Sequence, residues 1–365
     1  QPFLSSSGRA PPFDRSEGRL VYEPSVIHSP ITALPGESIH YQSSPLCYVI
    51  SHFYNSQMLW HMLFDFLVPA FHTFMQFENF EKIDKDYNDR RIFIRDNERL
   101  VHPKLLRSLS KYDIPNIYGD SITRQFQRVI VGLEKLEENP STARTSNEML
   151  QIKYNYTNET SPYIRKAIFN ALSIKDHPIN SESPLILIVD RSQKRKKTTI
   201  RKFINIEEIE EYLLSRCDFC RVKRIEFSSQ NFTEQIELIS SASVLIGVHG
   251  SGLSNTLFMK PSSEKAPTAL IELLPYGYNC RNWFQKAANV ASVDYYSIMS
   301  KKIPPNDANK TTKFNHCWTH PELCSTLECH DLLRDQDVII EFGIMSSVWS
   351  RVVSKLRKAQ QSIDE

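Results

Sequence analysis

The chain has 365 residues, enough for two domains that each bury a hydrophobic core. Hydrophobic residues make up 41% and charged residues 24%, which is typical of a globular protein without a large disordered region. A net charge of +2 argues against a dedicated nucleic-acid-binding protein, which would be far more basic. No apolar run reaches transmembrane length, so we expect membrane attachment only through an N-terminal anchor absent from this chain.

The first half of the chain alternates strand and helix signals after an irregular lead-in. Residues 1–45 are rich in Ser, Pro and Gly, which predicts irregular structure. The predicted elements that follow are a strand over 46–51, a helix over 56–77 with a kink at Pro69, a strand over 91–94, a helix over 103–112 and a strand over 128–133. The charged stretch 134–160 predicts an exposed linker. We therefore assign residues 46–160 to an N-terminal Rossmann-like domain with its linker.

The second half shows a clearer α/β alternation. Strands are predicted over 185–189, 222–227, 244–248, 269–273 and 293–298, and helices over 206–215, 233–241 and 251–259. Strands separated by helix-length segments indicate right-handed crossovers and a parallel sheet. We assign residues 161–340 to a C-terminal Rossmann-like domain and residues 341–365 to a final helix. Two such domains would face each other across a central cleft, where ligands bind at the carboxyl ends of strands.

One segment, 244–259, combines a buried strand, a glycine-rich turn and the start of a helix. The turn is His249-Gly250-Ser251-Gly252, and Asn255 follows in the first helical turn. Glycines allow close approach of the backbone, and the first amide groups of a helix attract anions. The pattern matches neither a nucleotide-triphosphate loop nor the dinucleotide fingerprint. It indicates a phosphate site, although a turn that uses glycine only for its geometry would read the same way.

A basic run follows the strand at 185–189. Arg191 lies nearest to the strand end, and Arg195 could reach a ligand from the loop. Guanidinium groups bind phosphate through two parallel hydrogen bonds, so these arginines are candidates for contacting a diphosphate. A solvated basic loop or a polyanion-binding patch would leave the same signature.

Two carboxylates complete the candidate site. Glu272 ends the hydrophobic strand at 269–273, where an acidic residue can accept hydrogen bonds from ribose hydroxyls; capping a neighbouring helix is the alternative. His61 and Asp65 lie four residues apart on a mostly apolar helix and therefore share one face. Such a pair can orient an imidazole as a general base, or it can simply connect the helix to a neighbouring loop.

Several features point to the secretory pathway. Four N-glycosylation sequons begin at Asn155, Asn158, Asn231 and Asn309. Three of the seven cysteines crowd the polar segment 317–329, which predicts one or two disulfides holding a loop-rich region. The Cys-x-x-Cys at 217–220 predicts a local disulfide or two thiols, and the odd cysteine count leaves at least one thiol over. We expect the lumen of the endoplasmic reticulum or Golgi, with a type II membrane protein as one form.

Two Asp-x-Asp motifs, at 84–86 and 335–337, could suggest a metal-dependent transferase. Neither follows a strand into a cleft, and both lie in charged stretches. We interpret both as chance matches and expect no metal site and no cofactor.

Taken in order, these motifs resemble glycosyltransferase family 61 over roughly residues 51–300. The histidine–glycine turn matches the family's, and the segments 190–195 and 271–276 match its basic and acidic motifs. Upstream, His61, Asp65 and Pro69 keep the family's register, while Gln57 replaces its asparagine.

The resemblance implies a GT-B fold and an inverting, metal-independent transfer of GlcNAc or xylose from a UDP-sugar to a hydroxyl of a glycoprotein or glycan acceptor. It implies that residues 46–160 form the acceptor-side domain and residues 161–340 the nucleotide-sugar-binding domain. It also implies that Arg191, Arg195 and the His249 turn bind the UDP diphosphate, with Glu272 near the ribose. His61 or Asp65 would then deprotonate the acceptor. The alternative is a catalytically silent relative that binds a glycan or a nucleotide.

Overall fold

The protein is described here by a computed structural model. It describes residues 3–4, 26–27, 39–41, 46–50, 58–77, 90–94, 103–117, 123–126, 129–131, 158, 160–191, 201–227, 231–303 and 308–362. Contacts divide the chain into two compact units, one formed by Gln1–Met149 and Lys166–Leu172, the other by Leu150–Arg165 and Ser173–Glu365. Among the described residues, no helix is both long and apolar enough to span a bilayer.

The N-terminal unit is built around a small parallel sheet. The strands of this unit are β1 (Phe3–Leu4), β2 (Val26–Ile27), β3 (Ile39–Tyr41), β4 (Cys47–Ile50), β5 (Arg91–Ile94), β6 (Thr123–Gln125) and β7 (Val129–Val131). β4 lies at the centre, with β5 and β7 parallel to it on either side. β3 pairs with β6 in parallel, and β1 with β2 in antiparallel. The predicted strands at 46–51, 91–94 and 128–133 are therefore confirmed.

The long helix predicted over 56–77 is interrupted by a wider turn. It consists of α1 (Leu59–Met62), a π-helical turn (Leu63–Leu67) and α2 (Val68–Phe77). The π turn directly precedes Pro69, which has no amide hydrogen to donate to the carbonyl four residues earlier. The helix predicted over 103–112 is shorter than expected. The observed helix, α3 (Pro103–Leu106), is followed by turns.

The C-terminal unit holds a five-stranded parallel sheet. Its strands are β8 (Leu185–Val189), β9 (Arg221–Ile225), β10 (Ala242–Val248), β11 (Ala269–Leu274) and β12 (Asp294–Met299). Helix α4 (Ser161–Ala171) is divided between the two units. The further helices of the C-terminal unit are α5 (Ile206–Arg216), α6 (Phe232–Ser240), α7 (Trp283–Ala291), α8 (Ala308–Thr319), α9 (Leu327–Arg334) and α10 (Phe342–Gln361). With two sheets of parallel strands, the predicted α/β class is confirmed and is compatible with two Rossmann-like domains.

The strand order of the five-stranded sheet determines where a ligand can bind. The order across the sheet is β12-β11-β10-β8-β9, so the chain moves outward from β8 to β9 and then crosses back to β10. Counted from β8, this is the doubly wound order 2-1-3-4-5, whose direction of winding reverses between β8 and β10. In open sheets of this kind, ligands bind outside the carboxyl ends of the two strands at the reversal.

Helices cover both faces of this sheet. On one face, α5 and α10 enclose a core that includes Ile186, Ile246, Ile271 and Trp349, each buried. On the other face, α6 contacts β10, and α7 contacts β11 and β12. Strands that are apolar on both faces produce the near-continuous runs of Val, Ile and Leu that identified them in the sequence.

Three disulfides form in the described part of the chain. Cys217–Cys220 closes the turn after α5, Cys280–Cys324 ties the loop after β11 to the helical segment near the C-terminus, and Cys317–Cys329 links α8 to α9. The expected disulfides are therefore confirmed, including the local one. Cys47 keeps a buried thiol whose pKa is raised, because burial disfavours the thiolate.

The segment around 317–329 is helical, so the expectation of a loop-rich region is wrong. α8 and α9 flank a short 3₁₀ segment (Pro321–Ser325), and their buried Phe314 and Leu333 pack with Tyr278 in a small second core. Their sequences are mostly polar because only one narrow face of each helix is buried. The structure also adds α4 and α7, which the sequence analysis did not predict.

Candidate active site

The glycine-rich turn lies at the carboxyl end of β10, beside the reversal in strand order. β10 is buried along its whole length, and the amide of His249 donates to the carbonyl of Leu273 on β11 at 2.9 Å. Gly250 has a φ of +157°, and a 3₁₀ helix (Ser251–Phe258) follows. The predicted α-helix over 251–259 is thus a tighter 3₁₀ helix, whose first amides likewise lack partners within the helix.

Two arginines converge on this turn. The guanidinium groups of Arg191 and Arg201 both donate through Nη1 to the carbonyl oxygen of His249, Arg191 at 3.3 Å. A Cβ atom at Gly250 would overlap Nη1 of Arg191 and lie 3.3 Å from Nη1 of Arg201. With any other residue at position 250, the guanidinium of Arg191 would have to move away from this turn. The structure brings together the predicted Arg191, His249 and Gly250.

Arg201 has an acidic partner within the protein. Nε of Arg201 lies 3.3 Å from Oδ1 of Asp335, which also pairs with Arg334. Burial lowers the pKa of Arg201 to about 10, and the positive charge of Arg191 contributes to the same shift. Two like charges held at one partly buried turn are unfavourable unless an anion binds between them. The local charge therefore favours a phosphate-like ligand.

Arg201 is the residue of this site that the sequence analysis missed. It is held in place because Phe203 forms a parallel bridge with Val338 and the Asn205 side chain bonds both main-chain groups of Ile340. These partners lie 135 residues away in the sequence, so no local pattern could identify Arg201 as a site residue. Arg195, which was predicted to share this role, lies outside the described residues.

Behind the turn, His249 and Glu272 form a buried pair. Nδ1 of His249 donates to Oε1 of Glu272 at 2.5 Å, and the hydroxyl of Tyr295 donates to Oε2 at 2.5 Å. Both His249 and Glu272 are almost fully buried. Burial lowers the pKa of His249, although the carboxylate of Glu272 acts in the opposite direction. Burial, followed by the charge of Glu272, raises the pKa of Tyr295, so its hydroxyl stays protonated.

Aromatic side chains surround the histidine ring. The rings of Tyr278 and Phe284 approach it edge-on, with centroids 4.9 and 5.0 Å away. Tyr278 belongs to the second core, which the disulfides Cys280–Cys324 and Cys317–Cys329 enclose. The position of His249 therefore depends on the disulfide-bonded segment as well as on the sheet.

That segment contains a second buried histidine, His330. Its Nδ1 lies 2.9 Å from a carboxylate oxygen of Asp331, while Nε2 faces the hydroxyl of Tyr278 at 3.0 Å and Nε of Arg281 at 3.4 Å. Nε2 must act as the acceptor for the arginine, since guanidinium can only donate. Burial is the largest cause that lowers the pKa of His330, to about 4.

The other predicted donor-site residues lie in the 3₁₀ helix. Ser251 and Gly252 are half-buried at the start of this helix, next to the turn on which the two arginines converge. Asn255 is buried, and its amide nitrogen donates to the carbonyl of Gly252 at 2.9 Å. Asn255 therefore stabilises the turn itself, and its contact with a ligand stays a prediction.

His61 and Asp65 form the predicted contact. Nδ1 of His61 hydrogen-bonds Oδ2 of Asp65 across the junction between α1 and the π turn. The Asp65 side chain is fully buried, whereas 17% of the His61 side chain is exposed. A carboxylate bonded to Nδ1 fixes the orientation of the imidazole ring. The pair has the geometry of an oriented general base; its role stays a prediction.

Two sequons are placed on the surface with their side chains described. Asn158 and Asn231 are exposed, and Asn231 caps α6 by accepting from the amide of Thr233 at 3.0 Å. Asn309 lies in the first turn of α8, and Asn155 lies outside the described residues. Glycosylation of all four stays a prediction.

The Asp-x-Asp motif at 335–337 is engaged within the protein. Asp335 pairs with Arg201 and Arg334, and Asp337 accepts from the amide of Lys202 at 2.8 Å. The motif at 84–86 lies outside the described residues. In the part of the chain that the structure describes, no group of three or more His, Cys, Asp or Glu side chains could hold a metal ion.

Comparison with known proteins identifies the family. The family model described as Glycosyltransferase 61 matches residues 47–265, more than half of the chain. The chain belongs to glycosyltransferase family 61. The family match includes His61, Asp65, Arg191 and the His249 turn but ends before Glu272.

Curated relatives of the chain are transferases by name. Protein O-linked-mannose beta-1,4-N-acetylglucosaminyltransferase 2 of Takifugu rubripes is 24% identical over 73% of this chain and 45% of its own length. Alpha-1,3-arabinosyltransferase XAT2 of Oryza sativa subsp. japonica is 24% identical over 60% of this chain and 34% of its own. EGF domain-specific O-linked N-acetylglucosamine transferase of Xenopus laevis is 29% identical over 25% and 17%, respectively. The chain spans less than half of each relative's length.

In this family 61 protein, glycine should be required at position 250 but not at position 343. Gly250→Ala should lower the free energy of unfolding by about 1–3 kcal/mol, because of the positive φ and the overlap with Arg191. Gly343 lies near the start of α10, and a Cβ there would contact nothing within 4 Å. Gly343→Ala should instead stabilise by about 0.5–1 kcal/mol. Chemical denaturation measures both; equal effects would contradict the packing described at Gly250.

His330 should make the protein acid-sensitive. Its pKa is about 4 when folded and 6.5 in an unperturbed histidine, so the unfolded chain takes up the proton first as the pH falls. Stability from this group is present above pH ~6.5 and is lost down to pH ~4. In denaturant titrations at several pH values, the free energy of unfolding of His330→Gln should therefore fall less steeply with decreasing pH than that of the wild type. His316→Gln, at an exposed position on α8, is the control and should keep the wild-type slope. A wild-type slope in His330→Gln would contradict the assignment.

Proposed function

We propose that this family 61 protein is an inverting, metal-independent glycosyltransferase that moves GlcNAc or xylose from a UDP-sugar to a hydroxyl of a glycoprotein or glycan. The observation that carries the proposal is the convergence of Arg191 and Arg201 on the His249–Gly250 turn. This turn lies where the strand order of the C-terminal sheet reverses, the usual location of nucleotide sites in such sheets.

The chemistry of sugar transfer explains why cations are needed there. When the acceptor oxygen attacks the anomeric carbon, the bond to the diphosphate breaks and the electron pair leaves with UDP. Fixed positive groups lower the barrier by stabilising this charge as it develops. We assign Arg191 and Arg201 to this task, with Arg195 and the first amides of the 3₁₀ helix as further contacts. Because these groups supply the charge that a metal supplies in other transferases, we expect activity without one.

The relatives support the choice of sugar class. Their names specify transfer of N-acetylglucosamine, arabinose or xylose. Among these, we retain GlcNAc and xylose as the donors to test first. The ribose contact implied for Glu272 is a prediction that the family match does not reach.

We assign deprotonation of the acceptor to the N-terminal unit. With Nδ1 of His61 hydrogen-bonded to Asp65, Nε2 can accept the proton of the attacking hydroxyl, and the buried carboxylate stabilises the imidazolium that forms. We propose the GT-B fold for this chain, with the N-terminal unit on the acceptor side.

We place the protein in the lumen of the secretory pathway. Three disulfides favour an oxidising compartment, and four sequons are consistent with one. We propose no nucleic-acid partner and no cofactor.

UDP release tests the donor site. Purified protein should release UDP from one of several UDP-sugars in the presence of EDTA and an acceptor glycopeptide. Arg191→Ala and Arg201→Ala should each reduce kcat/KM by about 10-fold to 100-fold, because each removes a charge-assisted hydrogen bond to phosphate. Arg357→Ala removes an exposed arginine of α10 and serves as the matched control.

Three outcomes decide between the proposals. Loss of UDP release on adding EDTA would contradict metal independence. Equal effects of Arg201→Ala and Arg357→Ala would contradict the donor-site assignment. UDP binding without release from any donor, even with acceptors present, would favour a catalytically silent relative that binds nucleotides or glycans.

The acceptor base should affect the chemical step and not donor binding. His61→Gln and Asp65→Asn should lower kcat by about 10²-fold to 10⁴-fold, the usual contribution of a general base. The dissociation constant for UDP should stay near the wild-type value, since donor groups lie in the other unit. His72→Gln is the control, because His72 lies in α2, which continues the helical segment begun by α1. Unchanged kcat in both variants would show that another group is the base.

A further inference from the structure

Glu272 has both carboxylate oxygens hydrogen-bonded inside the protein. Oε1 accepts from Nδ1 of His249 and Oε2 accepts from the hydroxyl of Tyr295, each at 2.5 Å. Only 1% of the Glu272 side chain is exposed. A ribose could bond this carboxylate only by displacing one of the two donors and opening the buried site. The geometry therefore argues against a direct ribose contact.

His249 connects Glu272 to the arginine pair. Its ring is hydrogen-bonded to Glu272, and its main-chain carbonyl accepts hydrogen bonds from Arg191 and Arg201. The next residue, Gly250, has no side chain that could anchor the turn. The ring and the amide that donates to Leu273 therefore hold this carbonyl from the strand side, while the carbonyl of Gly250 accepts from the amide of Leu253 at 2.9 Å on the helix side.

A carboxylate suits the position between these two donors. The Tyr295 hydroxyl remains protonated, and Nδ1 carries the other proton, so the group between them has to accept twice. A charged acceptor makes both bonds stronger than a neutral one would. In the described part of the chain, the second ring nitrogen, Nε2, makes no hydrogen bond to the protein.

We propose that Glu272 is a positioning residue: through the His249 ring it fixes the carbonyl on which Arg191 and Arg201 converge, and so it determines diphosphate affinity without contacting the nucleotide. The inference rests on the proposed UDP site. It differs from a ribose contact, since the effect should appear with a ligand that has no ribose.

Inorganic pyrophosphate is the probe that separates these roles. We would measure dissociation constants of pyrophosphate, UDP, 2′-deoxy-UDP and uridine for the wild type, Glu272→Ala, Glu272→Gln and Tyr295→Phe. Glu272→Ala should weaken pyrophosphate and UDP equally, by about 10-fold or more, while uridine affinity stays within about twofold. Glu272→Gln keeps an oxygen that can accept from His249 and should restore most of the affinity.

The comparison of UDP with 2′-deoxy-UDP provides a second readout. If Glu272 acts through His249, the ratio of UDP to 2′-deoxy-UDP affinity should be the same in the wild type and in the Glu272 variants. Should Glu272→Ala not fold, Tyr295→Phe removes one of the two hydrogen bonds with little change of volume. It should weaken pyrophosphate by a smaller factor and leave uridine unchanged.

The outcomes distinguish the inference from the function on which it rests. Unchanged pyrophosphate affinity in Glu272→Ala, together with a loss of preference for UDP over 2′-deoxy-UDP, would overturn the positioning role and leave the donor site intact. Unchanged affinity for every ligand would also overturn it. A wild-type protein that binds neither pyrophosphate nor UDP would overturn the proposed donor site and this inference with it.

Discussion

The site depends on one electrostatic constraint, the placement of two guanidinium groups on a single carbonyl oxygen. Arg191 and Arg201 both donate to His249 at a turn where Gly250 leaves space for them. Asp335 pairs with Arg201, and burial together with the positive charge of Arg191 lowers the pKa of Arg201. Such a pair is costly for the empty protein and favourable once an anion binds, which is the behaviour required of a site for a leaving diphosphate.

The rest of the C-terminal unit holds this turn in place. The parallel sheet places it at the reversal of strand order, and Glu272 with Tyr295 anchors the histidine ring from behind. Tyr278 packs against the same ring and belongs to a small core closed by two disulfides. A rigid surrounding of this kind allows charges to be preorganised, because the arginines need not move when the reaction occurs.

Local patterns in the sequence were sufficient for part of this description. The runs of β8, β10 and β11 identified buried parallel strands, and His249 with Gly250 identified the turn. The basic run after β8 identified Arg191, and the four-residue spacing identified the His61–Asp65 pair; the family resemblance added the roles of these residues. Arg201 and Tyr295 could not be predicted, because each depends on a partner brought close by the fold. The helices α8 and α9 were missed because few of their residues face a core, and disulfides contribute to their stability.

The most direct test of the central claim is hydrogen exchange of the protein with and without UDP, in EDTA. If the diphosphate binds at the reversal between β8 and β10, UDP should slow exchange in peptides that cover residues 249–253 and the segment after Val189. Peptides from α10, on one face of the same sheet, should exchange as before. Binding of UDP with protection elsewhere, and none at these two segments, would contradict the account.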